Sequence, residues 1–388
     1  MPDTTTLEFK QVLIQSYYQN WQLYLMKIIS TILLSLCCYT ASAQDKVKFE
    51  YIKGNNDFVY PENEIEQLIH PEKYKAFFFG ESHTLYCEPM MKLHLIKHLN
   101  AKYGVRDVFI EVGYSTAYLF DRYLETGEEV LLDMGITYTT NNYMTLWKEL
   151  YKYNQILPSD KRLRIHGIDF ETKLVFYTLL RIRPMSRTMP DELRPAYDII
   201  YTCAADSTMP EFGNKFLKKL EDVIKIFNEH HDVMTAYFGR YAPFVDDLIN
   251  NNTSTFSVHH RDKAMYPRMQ KAIKEYNIDK FIGFFGSDHI KYENATALPV
   301  QLREDTAFKD KVVTMMTVYY NAYGIYLLKE LDFVGCIGSE KSKRGRELKE
   351  KYFTDNCRAV LMPTKYLDDE YLRTATDFFL FANDKTID

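Results

Sequence analysis

The most informative stretch of the chain is residues 76–83, Ala-Phe-Phe-Phe-Gly-Glu-Ser-His. The short apolar run predicts a buried strand, and an acid and a histidine follow it directly. In open α/β sheets, ligands bind outside the carboxyl ends of the strands. Glu81 and His83 are therefore candidates for a functional crevice. Their structural alternative is to cap the following helix, because acidic residues suit a helix N-terminus.

Three further predicted strands also end in polar residues: Val108–Ile110 before Glu111, Leu163–Ile168 before Asp169, and Phe281–Phe285 before Gly286-Ser287-Asp288-His289. We expect all four strand ends to converge on one crevice. A carboxylate at Glu111 is costly to bury unpaired, which favours a functional role or an ion pair. Asp169 has the alternative of serving only as a helix N-cap.

Two other candidates lie near the fourth strand. The turn at Gly286 exposes His289, and Asp288 could orient that histidine or cap a helix. Arg261 lies in the polar run His259-His260-Arg261-Asp262. It could reach the crevice as an anion-holding or oxyanion-stabilising group, or form a surface salt bridge. His94 and His98 have the spacing of a metal pair, but we expect them on a solvated helix face.

Short apolar runs alternate with longer amphipathic ones, a pattern typical of an α/β fold. We predict an open, mainly parallel sheet flanked by helices, with further strands at Val312–Val318, Ala359–Met362 and Phe378–Phe381. Residues 185–277, between the third and fourth strands, show little β signal, and prolines divide them into helices. We predict an all-helical insertion there, within a single α/β domain of residues 44–388.

The N-terminal region predicts export. From Met26 the chain has a lysine, a short apolar run and Ala41-Ser42-Ala43, the three parts of a secretory signal peptide. The run is shorter than the roughly 20 residues that a spanning helix needs. Residues 1–43 would then be upstream sequence and signal peptide (Met26–Ala43), and the mature chain would begin at Gln44 in the periplasm or as a secreted protein.

Composition limits the functional classes. A net charge of −5 over 388 residues gives no electrostatic basis for binding nucleic acid. We find no P-loop, no dinucleotide fingerprint and no Gly-x-Ser-x-Gly elbow, so ATP, NAD and a serine nucleophile are not supported. We expect a small-molecule partner and no membrane span in the mature chain. The oligomeric state stays open, as does the pairing of four cysteines: Cys87, Cys203, Cys336 and Cys357.

At the strand ends the chain resembles the erythromycin esterase-like proteins and the wider group that includes the ChaN-like haem-uptake and Tiki proteins. The matching pieces, in order, are Gly80-Glu81-Ser82-His83, Phe109-Ile110-Glu111-Val112, Gly167-Ile168-Asp169, Arg261-Asp262-Lys263-Ala264-Met265 and Gly286-Ser287-Asp288-His289. One residue separates Glu81 from His83, whereas the esterases usually have two. This shorter spacing is more similar to the ChaN branch.

The resemblance implies a hydrolase of an ester or similar acyl bond that forms no covalent enzyme intermediate. His83 would be the general base that activates water, with Glu81 or Glu111 orienting its ring. His289 and Arg261 would stabilise the oxyanion. The full predicted catalytic set is Glu81, His83, Glu111, Asp169, Arg261, Asp288 and His289.

Two alternatives need a bound group, whereas the first interpretation expects no cofactor. One is a metal-assisted hydrolase, in which Zn²⁺ or Mn²⁺ would be held by ligands drawn from Glu81, His83, Glu111, Asp169 and His289. The other is a non-catalytic protein that holds haem or another ligand in a tyrosine-lined cleft. Metal analysis and haem titration would distinguish them.

Overall fold

The computed structural model describes residues 47–51, 58–59, 66, 68–82, 88–135, 141–210, 213–251, 261–324, 329–335, 347, 359–364 and 374–383. The chain divides into two units, residues 1–47 and 48–388. Apart from Val47, everything described below belongs to the second unit. The predicted signal peptide, Met26–Ala43, and the predicted base, His83, lie outside the described residues.

A ten-stranded sheet organises this unit. Its strands are β1 (Val47–Tyr51), β2 (Phe58–Val59), β3 (Ala76–Glu81), β4 (Asp107–Gly113), β5 (Arg164–Asp169), β6 (Phe281–Gly286), β7 (Val312–Gly324), β8 (Lys329–Gly335), β9 (Ala359–Pro363) and β10 (Phe378–Asn383). The order is β2-β1-β9-β10-β7-β3-β6-β4-β5, with β8 paired to β7. From β10 to β5 the six neighbouring strands are parallel, and β9 and β8 join them antiparallel. The predicted open, mainly parallel sheet is confirmed.

The described helices are α1 (Glu88–Tyr103), α2 (Tyr114–Thr126), α3 (Glu129–Gly135), α4 (Asn141–Ile156), α5 (Leu174–Ile182), α6 (Arg194–Ala205), α7 (Asn214–Glu229), α8 (His231–Phe238), α9 (Ala242–Asn251), α10 (Arg261–Glu275) and α11 (Leu298–Arg303). Every described element between β5 and β6 is helical, as predicted for the insertion. Its helices share an apolar core, to which α7 contributes Phe216, Leu220 and Phe227 at helical spacing.

The two faces of the sheet are covered by different helices. Met265 and Met269 of α10 pack in one core cluster with Phe78, Phe109 and other aromatic side chains of the strands. Since side chains alternate along a strand, Phe79 points to the opposite face, where it meets Phe284 at 5.6 Å between ring centroids. Helix α1 lies on that face.

Helix α1 corrects one expectation from the sequence. His98 was expected on a solvated surface, but its residue is only 4% exposed. The reason is that it lies on the side of α1 that faces the sheet, where it lines a small cavity with Phe77 and Phe79 of β3. His98 instead stacks on Tyr103 and approaches Glu66 at 3.4 Å.

Close packing of α2 on β5 explains one glycine of the predicted motifs. A Cβ at Gly167 would lie 2.5 Å from the carbonyl oxygen of Gly113 and 2.8 Å from the Cβ of Ala117. Gly167 is therefore required for packing beside the site. Within the described residues, Cys203 is a buried free thiol, and no helix has the length and apolar character needed to span a bilayer.

Candidate functional site

Four of the predicted residues come together at the carboxyl edge of the sheet. Glu111 lies near the carboxyl end of β4, and Asp169 is the last residue of β5. His289 lies in the short 3₁₀ turn that follows β6. Arg261, the first residue of α10, joins them: its Nη2 lies 2.7 Å from Oε1 of Glu111, and it also pairs with Asp169. We call Glu111, Asp169, Arg261 and His289 the edge cluster.

Glu111 is the hub of the edge cluster. Its side chain is 5% exposed. One carboxylate oxygen accepts the backbone N–H of Gly286 at 2.5 Å, and the other receives Arg261 and, at 3.3 Å, Nε2 of His289. The register of β4 against β5 shifts between Ile110 and Gly113, and such irregularities re-aim side chains next to functional sites. The sequence predicted that Glu111 is either functional or ion-paired. The structure shows its ion pair with Arg261.

His289 is held between two carboxylates. Its Nδ1 lies 2.5 Å from Oδ1 of Asp262, and Asn294 donates to the other oxygen of Asp262 at 3.1 Å. Burial alone would lower the pKa of His289, but hydrogen bonds and charge interactions with Asp262 and Glu111 outweigh it and raise the pKa to about 9. His289 is thus a cation at neutral pH. It can donate hydrogen bonds from both ring nitrogens but cannot accept a proton.

Arginine side chains fix the end of β5. Burial raises the pKa of Asp169, and the bonds from Arg261 oppose that rise. Arg268 donates to the backbone carbonyl oxygens of Ile168 and Asp169. One turn further on, Glu171 is buried and accepts both the N–H and the hydroxyl of Ser115. The carboxylates of this edge are therefore held in place by several donors each.

No family model matches the chain, and no curated protein matches its sequence. Solved structures do. A mutant of the erythromycin esterase EreC in its open conformation is similar at 14% identity, over 87% of this chain and 97% of that chain, with a TM-score of 0.55. A protein from Bacillus cereus and a succinoglycan biosynthesis protein each align at 14% identity and a TM-score of 0.51, over 87% of this chain and 95% and 94% of theirs. The shared feature is the fold.

Glu81 belongs to a separate group on the α1 face. Its carboxylate pairs with Lys92, whose ammonium also lies 3.3 Å from the hydroxyl of Tyr143. Burial alone would lower the pKa of Lys92, but the charge of Glu81 raises it well above its usual range. Beside this pair, the carboxylate of Glu88 accepts the N–H of Ser82 at 2.8 Å. The first strand end of the predicted crevice is thus anchored to α1 by buried charges.

The remaining predicted residues are placed differently. Asp288 is exposed and accepts a hydrogen bond from Lys291 at 2.6 Å. The carboxylate that orients His289 is that of Asp262, which the sequence did not single out. The sequence signal that could have identified Asp262 is its position next to Arg261. The first turn of α10 places Arg261 at the edge of the sheet and can place the adjacent residue there as well. His259 and His260 lie outside the described residues.

The edge cluster also bears on the metal alternative. Among the described residues, no group of three or more His, Cys, Asp or Glu side chains is arranged to hold a metal ion. Arg261 supplies positive charge between Glu111 and Asp169, which is where a cation held by those two carboxylates would lie. With His83 outside the described residues, the metal site stays a prediction.

Proposed function

We propose that the protein hydrolyses an ester or a similar acyl bond of a small molecule, with water as the nucleophile and no covalent enzyme intermediate. The observation that carries this proposal is the cationic His289, fixed by Asp262 and Glu111 next to Arg261. Hydrolysis of an acyl bond develops negative charge on the carbonyl oxygen. Preorganised cationic donors stabilise that charge and need no rearrangement at the moment of reaction.

The proposed roles divide between two residues of the cluster and one outside it. Arg261 uses Nε and Nη2 for the cluster carboxylates, and we assign the remaining N–H groups of its five donors to the substrate. His289 directs its two N–H groups to Asp262 and Glu111 and contributes its positive charge to stabilising the oxyanion. His83 is proposed as the general base that takes a proton from water, because the cationic His289 cannot serve in that role.

We further propose that the chain belongs with the erythromycin esterase-like proteins and is exported after cleavage behind Ala43. The support for the family is the shared fold together with the order of the five motifs along residues 80–289. The support for export is the signal-peptide pattern from Met26. The neighbour is named an erythromycin esterase, and for this chain erythromycin is one candidate among ester and lactone substrates.

The test is a comparison of three histidine variants in the protein from Gln44 onward. Esters and lactones are screened with and without a chelator, and turnover and bound metal are measured on the same samples. His83→Ala should lower turnover by roughly 10²–10⁴-fold. His289→Ala should lower it by about 10²–10³-fold. The control is His231→Ala, because His231 is half-exposed in the insertion and pairs with Asp246.

Each outcome selects one interpretation. Loss of turnover in the first two variants, with no bound metal and no chelator effect, supports the proposal. Loss of metal in step with activity would establish the metal-assisted alternative. Unchanged turnover in a folded His83→Ala protein would contradict the role of His83 as general base or metal ligand. No turnover of any ester or lactone by the wild type would leave a non-catalytic ligand-binding protein, for which haem titration is the next measurement.

A further inference from the structure

A cavity of about 360 Å³ lies beside the edge cluster, along the outer edge of β5. Its walls come from α2, β5, α9 and α10. Ligand pockets for small organic molecules start at about 300 Å³. Asp169 lines the cavity and is at the same time bound by Arg261 of the edge cluster. The cavity therefore adjoins the edge cluster at Asp169.

The aromatic part of the wall includes Tyr276, which is 38% exposed. Tyr114, Tyr118, Phe244 and Tyr276 line the cavity. Tyr118 and Phe244 lie 4.4 Å apart between ring centroids. Arg164 covers the ring of Tyr276 at 5.5 Å. The faces of such rings are electron-rich and apolar, and they pack well against C–H groups.

The charges on the side chains of the wall nearly cancel. Six carboxylate and five cationic side chains line the cavity. Arg164 is bound to both oxygens of Asp107, at 2.7 and 2.8 Å, and Asp247 accepts the hydroxyl of Tyr114 at 2.6 Å. A ligand with a net charge would have to be desolvated without a counter-charge of its own, which is costly. The cavity is therefore suited to a neutral ligand that can form many hydrogen bonds.

Because β5 is an edge strand of the sheet, a peptide strand that pairs with it is an alternative occupant of this region. The hydrogen bonds of β5 argue against this alternative. The backbone N–H of Ile165 donates to Oδ1 of Asp121 at 2.8 Å. An incoming strand needs such edge groups for its own backbone hydrogen bonds. Asp121 uses one carboxylate oxygen for the N–H of Ile165, and Asp247 uses one for the hydroxyl of Tyr114. The second oxygen of each carboxylate can accept a hydrogen bond from a ligand hydroxyl.

We propose that this cavity binds a neutral, hydroxyl-rich ring compound of the saccharide class, stacked on its tyrosines and hydrogen-bonded to Asp121 and Asp247. The identification of this group as the alcohol part of the ester substrate rests on the proposed function, whereas the binding itself does not. The substrate class would then be acylated saccharides or glycosides.

The binding experiment uses methyl β-glucoside and cellobiose as probes, with glycine betaine and citrate as zwitterionic and anionic competitors, measured by calorimetry and saturation-transfer NMR. Tyr276→Ala should weaken cellobiose binding roughly three- to tenfold. The matched control is Tyr201→Ala: both tyrosines are partly exposed and both lie under an arginine, but Tyr201 is in α6. Saturable binding of the saccharides that Tyr276→Ala weakens and Tyr201→Ala does not would support the proposal.

Three results would overturn it: no saccharide binding at millimolar concentration, equal binding by both variants, or a preference for betaine or citrate. Turnover of 4-nitrophenyl acetate and of 6-O-acetylglucose is measured in parallel. Retained hydrolysis of both esters with no saccharide binding would remove the cavity proposal and leave the hydrolase proposal standing. Saccharide binding with no hydrolysis of either ester would remove the hydrolase proposal and leave the cavity proposal standing.

Discussion

Replacing Arg261 by methionine tests the central claim about the edge cluster, that Glu111 and Asp169 share Arg261 as a counter-charge. Arg261 pairs with Glu111 and Asp169, whose side chains are 5% and 6% exposed. Removing one partner of a buried ion pair costs about 3–5 kcal/mol. Glu111 keeps the N–H of Gly286 and the contact with His289, and Asp169 keeps the N–H of Phe170. These remaining donors should hold the loss of unfolding free energy within that range.

The stability difference between Arg261→Met and wild type should depend on pH, in a direction set by Asp169. Without Arg261, the folded-state pKa of Asp169, already raised by burial, should rise further above its unfolded value near 3.8. The folded variant then binds a proton at a higher pH than the unfolded chain does. Its stability deficit relative to wild type is therefore full above the raised pKa and shrinks as the pH falls through it. Urea unfolding followed by circular dichroism at pH 8 and pH 5 measures both quantities.

Arg194 provides the matched control. It pairs with Asp191 at 2.7 Å, but the two side chains are 60% and 89% exposed. Arg194→Met should cost at most about 1 kcal/mol, because exposed ion pairs are screened by water and salt. Arg261→Lys should lie between the two, since an ammonium cannot bridge two carboxylates as a guanidinium does. An Arg261→Met protein no less stable than Arg194→Met, or a deficit that is the same at both pH values, would refute the reasoning.

Three further predictions concern other parts of the chain. Turnover should fall as the pH rises through about 9, because His289 loses its proton there, and NMR titration of the His289 ring should give the same pKa. The stability that its ion pairs contribute should be complete below about pH 6.5 and should be lost as the pH rises through about 9. Lys92→Met should destabilise the fold by about 3–5 kcal/mol, which Glu81→Gln in the same chain should partly restore, because the double variant removes the carboxylate that pairs with Lys92. The exported protein should begin at Gln44, and N-terminal sequencing that finds Met1 or an acylated cysteine would contradict this.

The sequence predicted the central strands because they are continuous apolar runs. It missed β1, β2 and β8. For β1 and β8 the reasons are opposite. In β1, Val47, Phe49 and Tyr51 alternate with charged residues, a period-2 signal that was present but short. In β8, the segment Lys329–Gly335 carries three charged residues and has almost no apolar periodicity, so only its pairing with β7 makes it a strand. Such strands at the margin of a sheet depend on partners that a linear pattern does not contain.

The same limit applies to the site. Glu111, Asp169 and His289 could be predicted to meet, because the rule that parallel strands end at one edge needs only strand positions. Asp262 and Lys92 could not, since each belongs to a helix and its role depends on how that helix packs. In the sequence, Lys92 looks like a polar position of an amphipathic helix. It is buried because Glu81 stands opposite it at the end of β3.

The carboxyl edge therefore has two charge groups with different access to solvent, and access decides which of them can meet a substrate. Glu81 and Lys92 have side chains 7% and 9% exposed on the α1 face. Arg261 and His289, on the α10 side, are 24% and 14% exposed. Gly286 connects the groups, because it is the register partner of Glu81 and its N–H binds Glu111. Substitutions at Lys92 should thus act mainly on stability, whereas substitutions at His289 should act mainly on turnover.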